Sequence, residues 1–263
     1  WSDMFVKTAN GGEYYPEHFN MTDELVDSVP PEMQLVYWDY THTDRSAYEA
    51  MIDGHRNFRN ELWFSGVAWS CLGFTPHNRY SFKAAEASLA ACREKGVENV
   101  LITSWKDDGA ESSLFSVLPA LAYIAACAEG RADEKRAAEL FFDAVGERFE
   151  DFLCADLPDW VNGDPDLENS VKYGLYNDPF LGLFDYHLQE GKAAFFAENE
   201  KKLAELARKS KYGYLFDTLA KACSVMELKY DLGIVTRRAY REKDVVALKH
   251  LAEEIYPETA RRV

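Results

Sequence analysis

The sequence predicts an α/β fold followed by an all-α region. Three observations carry that expectation. A strand–loop–helix order repeats three times before residue 130, and the three strands are apolar without strict polar alternation. After Gly130, charged residues interleave with Leu, Phe and Ala at helical spacing. Strands of that kind are covered on both faces, as in a parallel sheet whose crossovers are helices.

The first strand is expected at residues 34–39 (QLVYWD), the second at 62–69 (LWFSGVAW) and the third at 99–105 (NVLITSW). Each leads through a polar loop into a helix. Residues 46–60 follow the first, with Ala47, Met51, His55 and Phe58 on one face and Asp44 or Ser46 as the cap. Residues 81–95 follow the second, with Ser81 as N-cap and Gly96 as the stop. The apolar stretch 115–129, ended by Gly130, follows the third. Three such units cannot close a barrel of eight, and as an open sheet they would leave edge strands bare. The chain opens Trp1-Ser2-Asp3-Met4, without initiator methionine or basic leader, and reads as the end of a fourth strand. Residues 1–130 are therefore expected to be the C-terminal part of a (β/α)8 TIM barrel within a longer protein. Residues 131–263 are expected to form a helical domain, with helices near 133–153, 181–210, 214–240 and 244–256 and a loop at 157–165.

Composition narrows the function. Among 263 residues, 45 Asp and Glu outweigh 29 Lys and Arg, for a net charge of −16. Phosphate-tracking nucleic-acid binders and anionic membrane surfaces both require clustered cations, so neither is an expected partner. The five cysteines, Cys71, Cys92, Cys127, Cys154 and Cys223, show no C-x-x-C spacing. They read as free thiols in a reducing, cytoplasmic compartment, with no zinc site. No apolar run reaches the roughly 20 residues that span a bilayer. The amphipathic C-terminal helices suit a homodimer and an intramolecular bundle equally.

In a parallel barrel the site lies at the carboxyl ends of the strands. The first strand ends Tyr37-Trp38-Asp39-Tyr40, and alternation puts Tyr37 and Asp39 on one face. The second ends in Trp69, followed by Cys71, and the third in Trp105, followed by Lys106, Asp107 and Asp108. With Trp1, each strand end presents a tryptophan, and most add a carboxylate. Indole faces with carboxylates grip pyranose rings, the ring lying on the indole and the hydroxyls donating to the acid. Trp63, in mid-strand, reads as core, and Trp38 is divided between core and site. Cys71 reads as packing, and His42 and His77 as solvent-facing loop residues.

The series WSDMF (1–5), VYWDY (36–40), FSGVAW (64–69) with G-F-x-P (73–76), and TSWKDDGAE (103–111) resembles glycoside hydrolase family 20. It is closest to the bacterial β-N-acetylhexosaminidase branch with a helical C-terminal domain, whose join KYGLYND (172–178) resembles. The resemblance implies removal of terminal N-acetylglucosamine or N-acetylgalactosamine from glycans by substrate-assisted retaining catalysis, without metal or organic cofactor. This is a known exception to the two-carboxylate scheme. By resemblance, Tyr37 donates to the acetamido oxygen, Asp39 holds sugar hydroxyls, Trp1, Trp69 and Trp105 wall the subsite, and Asp107 grips the O4/O6 side. The family's Asp-Glu pair, which supplies the general acid/base, has no counterpart at a strand end. Asp23-Glu24 and Asp133-Glu134 are the only such dipeptides and read as partners of helix N-termini. Cys71 stands where many relatives carry a carboxylate, which passes that role to Asp107 or Asp108. The expected partner is thus the missing N-terminal part of the same protein, and the chain alone is expected to hydrolyse nothing. The alternative is a non-catalytic carbohydrate-binding or scaffold protein. A third reading is an unrelated barrel hydrolase with Asp39 and Asp107 as its carboxylate pair.

Overall fold

In a computed structural model, residues 1–107, 109–163, 167 and 169–263 are described; Asp108, named above, and residues 164 and 165 of the expected loop lie outside them. The chain folds as two compact units interleaved along the sequence. One comprises Trp1–Trp69, Tyr80–Trp105 and Ala120–Ala144, the other Ser70–Arg79, Lys106–Pro119 and Val145–Val263.

Among the described residues, the first unit holds one parallel sheet, β1 (Leu35–Trp38), β2 (Leu62–Val67) and β3 (Asn99–Thr103), in that spatial order. The register pairs Tyr37 with Phe64 and Phe64 with Val100, so all three carboxyl ends fall at one end of the sheet. Backbone bonds from Asp39 to Ser65 and from Ala68 to Thr103 carry the ladder past the strands. Residues before β1 form α1 (Asp3–Ala9) and α2 (Asp23–Ser28). The Ser2 amide donates to the Val36 carbonyl at 2.9 Å, so the chain touches the outer edge of β1 before it turns into α1.

Helix α3 (Arg45–His55) starts at Asp44, whose carboxylate accepts from the Ser46 amide, as expected. Helix α4 (Asn78–Lys95) starts three residues before the expected cap; Ser81 lies inside it, and its hydroxyl accepts from the Trp69 amide. Tyr37, Phe64, Tyr48, Met51, Ile52, Ala87, Ala91 and Cys92 form one buried cluster, which seats α3 and α4 on one face of the sheet. Burying each large apolar side chain there contributes about 1.5–3 kcal/mol. Helices α5 (Leu118–Ala128) and α6 (Glu134–Val145) follow; α6 stops where Gly146 takes a left-handed φ of 72°, so the single helix expected over 133–153 is broken.

The second unit is helical: α7 (Phe149–Phe152), α8 (Ser170–Tyr176), α9 (Ala193–Lys209), α10 (Gly213–Lys229), α11 (Leu232–Glu242), α12 (Val245–His250) and α13 (Tyr256–Arg262). The helix expected from residue 181 begins only at Ala193. The Asp178 carboxylate accepts from the Phe180 and Leu181 amides and folds that stretch into turns. Helices α12 and α13 run through a π-turn at Leu251–Ile255 just before Pro257, whose missing N–H cannot serve a regular ladder. Phe152, Phe196, Leu203, Phe216 and Met226 are fully buried among α7, α9 and α10. No helix among the described residues is long and apolar enough to cross a membrane, and all five cysteines are free.

A Cβ at Gly213, the first residue of α10, would lie 2.2 Å from the Ala207 carbonyl oxygen of α9. Alanine improves helix propensity by at most about 1 kcal/mol. Because the obstacle is backbone, overpacking of about 1–3 kcal/mol outweighs that gain. We expect Gly213→Ala to lower the urea midpoint; an unchanged or raised midpoint would contradict the close approach.

Candidate functional site

The strand ends of the first unit carry two sets of side chains on opposite faces of the sheet. Alternation from the observed register places Tyr37, Phe64 and Val100 toward the helices, and Val36, Trp38, Trp63, Ser65, Leu101 and Thr103 on the other face.

On the helix side, Tyr37 is buried, 2 % exposed, and its hydroxyl donates to Asp39 Oδ2 at 2.6 Å. The same oxygen lies 2.8 Å from His42 Nδ1, while Oδ1 accepts from the Thr41 and His42 amides at 3.2 and 3.3 Å. Asp39, itself 1 % exposed, thus has both oxygens engaged from within the protein. Burial, then the Asp39 charge and hydrogen bond, push the Tyr37 phenol well above its ordinary pKa, which keeps it a donor. The Tyr15 and Tyr48 phenols are raised by the same two causes, burial first. Beneath Tyr37, 4.9 Å between ring centres, lies His55. Its Nδ1 is 2.7 Å from the Met51 carbonyl and its Nε2 is 2.8 Å from Ser2 Oγ. Burial lowers its pKa to about 4 from the usual 6.5, so the ring is neutral and donates to Met51 through Nδ1; the Ser2 hydroxyl, which also donates to the Val36 carbonyl at 2.9 Å, has one proton to share between that oxygen and Nε2. The remaining space around Tyr37, His55 and Trp38 is about 10 Å³, at most one water.

The other face gathers the tryptophans. Trp38 packs on Tyr40 at 5.0 Å and donates through Nε1 to Asp3 at 3.0 Å. Tyr40 meets Trp69 edge-on at 6.4 Å; its carbonyl accepts from Trp69 Nε1 at 2.8 Å, and its hydroxyl lies 3.4 Å from Thr103 Oγ1. Trp1 and Trp105 pair at 6.3 Å with rings tilted by 54°, and both are exposed. Trp63 Nε1 and Ser65 Oγ, two residues apart on this face, are buried without hydrogen-bond partners.

The structure therefore brings Trp1 together with Trp105, Trp69 with Tyr40, and Tyr37 with Asp39, on two faces rather than one. Asp107, exposed in the turn after Lys106, belongs to the second unit, as does Cys71, whose thiol is raised by burial and by the Asp107 charge. His42 and His77 are not free solvent-facing residues: the first holds Asp39 and the second is 4 % exposed. Tyr40 and the Asp39–His42 contact escaped sequence reasoning. The i, i+2 relation of Trp38 and Tyr40 was the available signal. Both Asp-Glu dipeptides sit at helix starts, Asp23-Glu24 in the first turn of α2 and Asp133-Glu134 at the head of α6. Among the described residues no group of three or more His, Cys, Asp or Glu is placed to hold a metal ion.

Residues 150–263 match the family model of the glycoside hydrolase 20C C-terminal domain. That match supports a relationship to glycoside hydrolase family 20, and the all-helical region it covers is consistent with it. No curated protein matches the chain.

Because His55 binds its proton less readily folded than unfolded, its contribution to stability is complete above pH 6.5 and is lost as pH falls toward 4, about 3 kcal/mol over that window. In the second unit Asp156 has the opposite sign. Burial lifts it to about 6 from 3.8, so acidification relieves a buried charge. Hydrogen exchange corrected for intrinsic rates should show α3 losing protection between pH 7 and 4.5, with residues 153–159 gaining it. Parallel behaviour of both segments would refute the assignment.

Proposed function

We propose that the chain supplies the C-terminal part of a family 20 β-N-acetylhexosaminidase, and that the tryptophan face of its sheet grips the terminal N-acetylhexosamine of a glycan. One observation carries this reading. A helical region matching the family 20 domain follows, in the same chain, a parallel sheet whose strand ends lead into Trp38, Tyr40, Trp69 and Trp105, with Trp1 packed on Trp105.

On this reading residues 1–130 are the last strands of a (β/α)8 barrel, and the missing N-terminal part of the protein completes it. Three features support that. Val100 and Leu101 of β3 are exposed, an open apolar groove of about 650 Å³ runs between β3, α4 and α5, and the Trp63 and Ser65 polar atoms lack partners on the would-be interior face. Free thiols suit a reducing, cytoplasmic setting.

The reaction is substrate-assisted. The acetamido oxygen bonds to the anomeric carbon as the glycosidic bond breaks, and the leaving oxygen takes a proton from an acid outside this chain. Trp1 and Trp105 offer exposed ring faces for the sugar; the resemblance gives the O4/O6 hydroxyls to Asp107. A phenol must align the acetamido oxygen. The resemblance gives that role to Tyr37, whose proton is committed to Asp39 under a packed core; Tyr40 stands on the tryptophan face and is partly exposed. We therefore assign the alignment to Tyr40. Tyr37 and Asp39 then act beneath it by fixing the turn that carries it.

The test compares this chain with the complete reading frame on an aryl N-acetyl-β-D-glucosaminide. The complete protein should turn it over and this chain should not. In the complete protein Tyr40→Phe should cut kcat by about 10²-fold, the order seen on removing one transition-state donor, with the melting temperature held. Tyr37→Phe should instead mainly lower the melting temperature. Turnover by this chain alone would overturn the reading, and a kcat loss confined to Tyr37→Phe would return the role to Tyr37.

A further inference from the structure

The segment that follows Trp105 carries backbone strain, and the second unit supplies what holds it. Residues 106–112 belong to that unit, and Gly109 and Ala110 are both left-handed, with φ of 92° and 59°. Glycine takes that conformation freely, whereas alanine brings its Cβ against a carbonyl oxygen. A residue with a side chain stays there only where its surroundings over-determine it, and such strain collects at binding and catalytic sites. Three contacts restrain the segment. Lys106 Nζ donates to the Ser112 carbonyl and ties its two ends together. The Ser112 hydroxyl lies 3.0 Å from Ser116 Oγ, and Asn78 Nδ2 donates to the Ser116 carbonyl at 3.0 Å and to Asp156 at 2.8 Å. The third contact comes from the helical region, where Lys172 Nζ of α8 meets Glu111 Oε1 at 2.9 Å.

The Lys172–Glu111 pair differs from the ion pairs on the surface. Both side chains are only 16 % exposed, so losing one charge leaves the other desolvated and uncompensated. A Cβ at Gly109 would lie 3.0 Å from Glu111 Oε1, which places the carboxylate directly against the left-handed backbone. The lysine is itself fixed, its own Cβ lying 3.3 Å from where a Cβ at Gly73 would stand. We propose that Lys172 is a positioning residue, which through Glu111 holds the turn at Gly109 and Ala110 and so presents Asp107 to the glycan. Presentation to a glycan rests on the family 20 reading of Asp107; the hold on the turn does not. The helical region thereby acts on substrate binding without touching the sugar.

Hydrogen exchange of this chain reads the hold, and kinetics of the complete protein read its consequence. Lys172→Met keeps the stem against Gly73 and removes the charge. Residues 109–113 should then exchange about 10-fold faster while α9 and α10 keep their protection, and Lys172→Arg should restore slow exchange. Unchanged exchange at 109–113, or faster exchange throughout the helical unit, would overturn the proposal whether or not the complete protein is an enzyme. On an aryl N-acetyl-β-D-glucosaminide, Lys172→Met in the complete protein should raise KM about 10-fold and change kcat less, the pattern for a charged contact made alike in ground and transition states. In an Asp107→Ala background the same substitution should cost nothing further, because Lys172 acts through Asp107. Equal losses in both backgrounds would make Lys172 merely structural and overturn the proposal. Absence of turnover by the complete protein would instead sink the hexosaminidase reading, with the exchange result still deciding the hold.

Discussion

Asp39 is the constraint on which the strand-end architecture depends. Its two oxygens take a phenol proton from Tyr37, two backbone amides and the His42 ring, all within the first unit. A carboxylate removed from water to 1 % exposure is costly unless charge-assisted bonds replace its hydration, and these four contacts do so. The same contacts dictate local structure. The Thr41 and His42 amides, folded back on Asp39, make the chain turn sharply after β1 and set Tyr40 on the side opposite Tyr37. Tyr48 adds a bond to the His42 carbonyl at 2.5 Å, tying the turn to α3. Removing the acid would leave a buried phenol and two amides without acceptors, which is why the strand end behaves as one piece.

A comparable arrangement fixes the second unit, with different chemistry. Asp156 accepts from Asn78 Nδ2 at 2.8 Å and the Arg79 amide at 2.9 Å, while Asp159 accepts from the Thr75 hydroxyl and the Val171 amide. Two buried acids thereby hold the segment that follows Trp69 in the chain against the helices after Phe149. Asp156 is lifted by burial where its hydrogen bonds pull the other way, so desolvation outweighs the donors there. Both units use buried carboxylates as staples for loops.

The strands were legible because a doubly covered strand must be apolar throughout, and nothing else in residues 34–105 combines that texture with so short a length. The same property hid the faces. When both sides of a strand are apolar, alternation groups Tyr37 with Asp39 and Trp38 with Tyr40 but cannot say which group meets the helices. Only the packing of Tyr37 and Phe64 against Tyr48, Met51 and Ala91 decides it. Helix ends were misread where side chains rather than propensity govern. Asp178 unwinds a stretch rich in Leu and Phe, and α4 gains a turn ahead of Ser81 because Asn78 and Arg79 already bond to Asp156. Asp156 lies 78 and 77 positions away, beyond the reach of any local pattern.

The division of labour between the two faces follows from their polarity. A face that closes over a phenol, an acid and a neutral imidazole with about 10 Å³ to spare is built for rigidity, because movement there exposes unpaired polar groups at once. The opposite face keeps indole surfaces exposed at Trp1 and Trp105 and leaves Trp63 Nε1 and Ser65 Oγ without partners. Isolated, that arrangement wastes both apolar area and hydrogen-bonding capacity, a combination that stable surfaces avoid. It becomes favourable when further protein or a ligand with an apolar ring face covers it. Rigidity beneath and unsatisfied surface above are therefore two consequences of one sheet, the first holding the second in place.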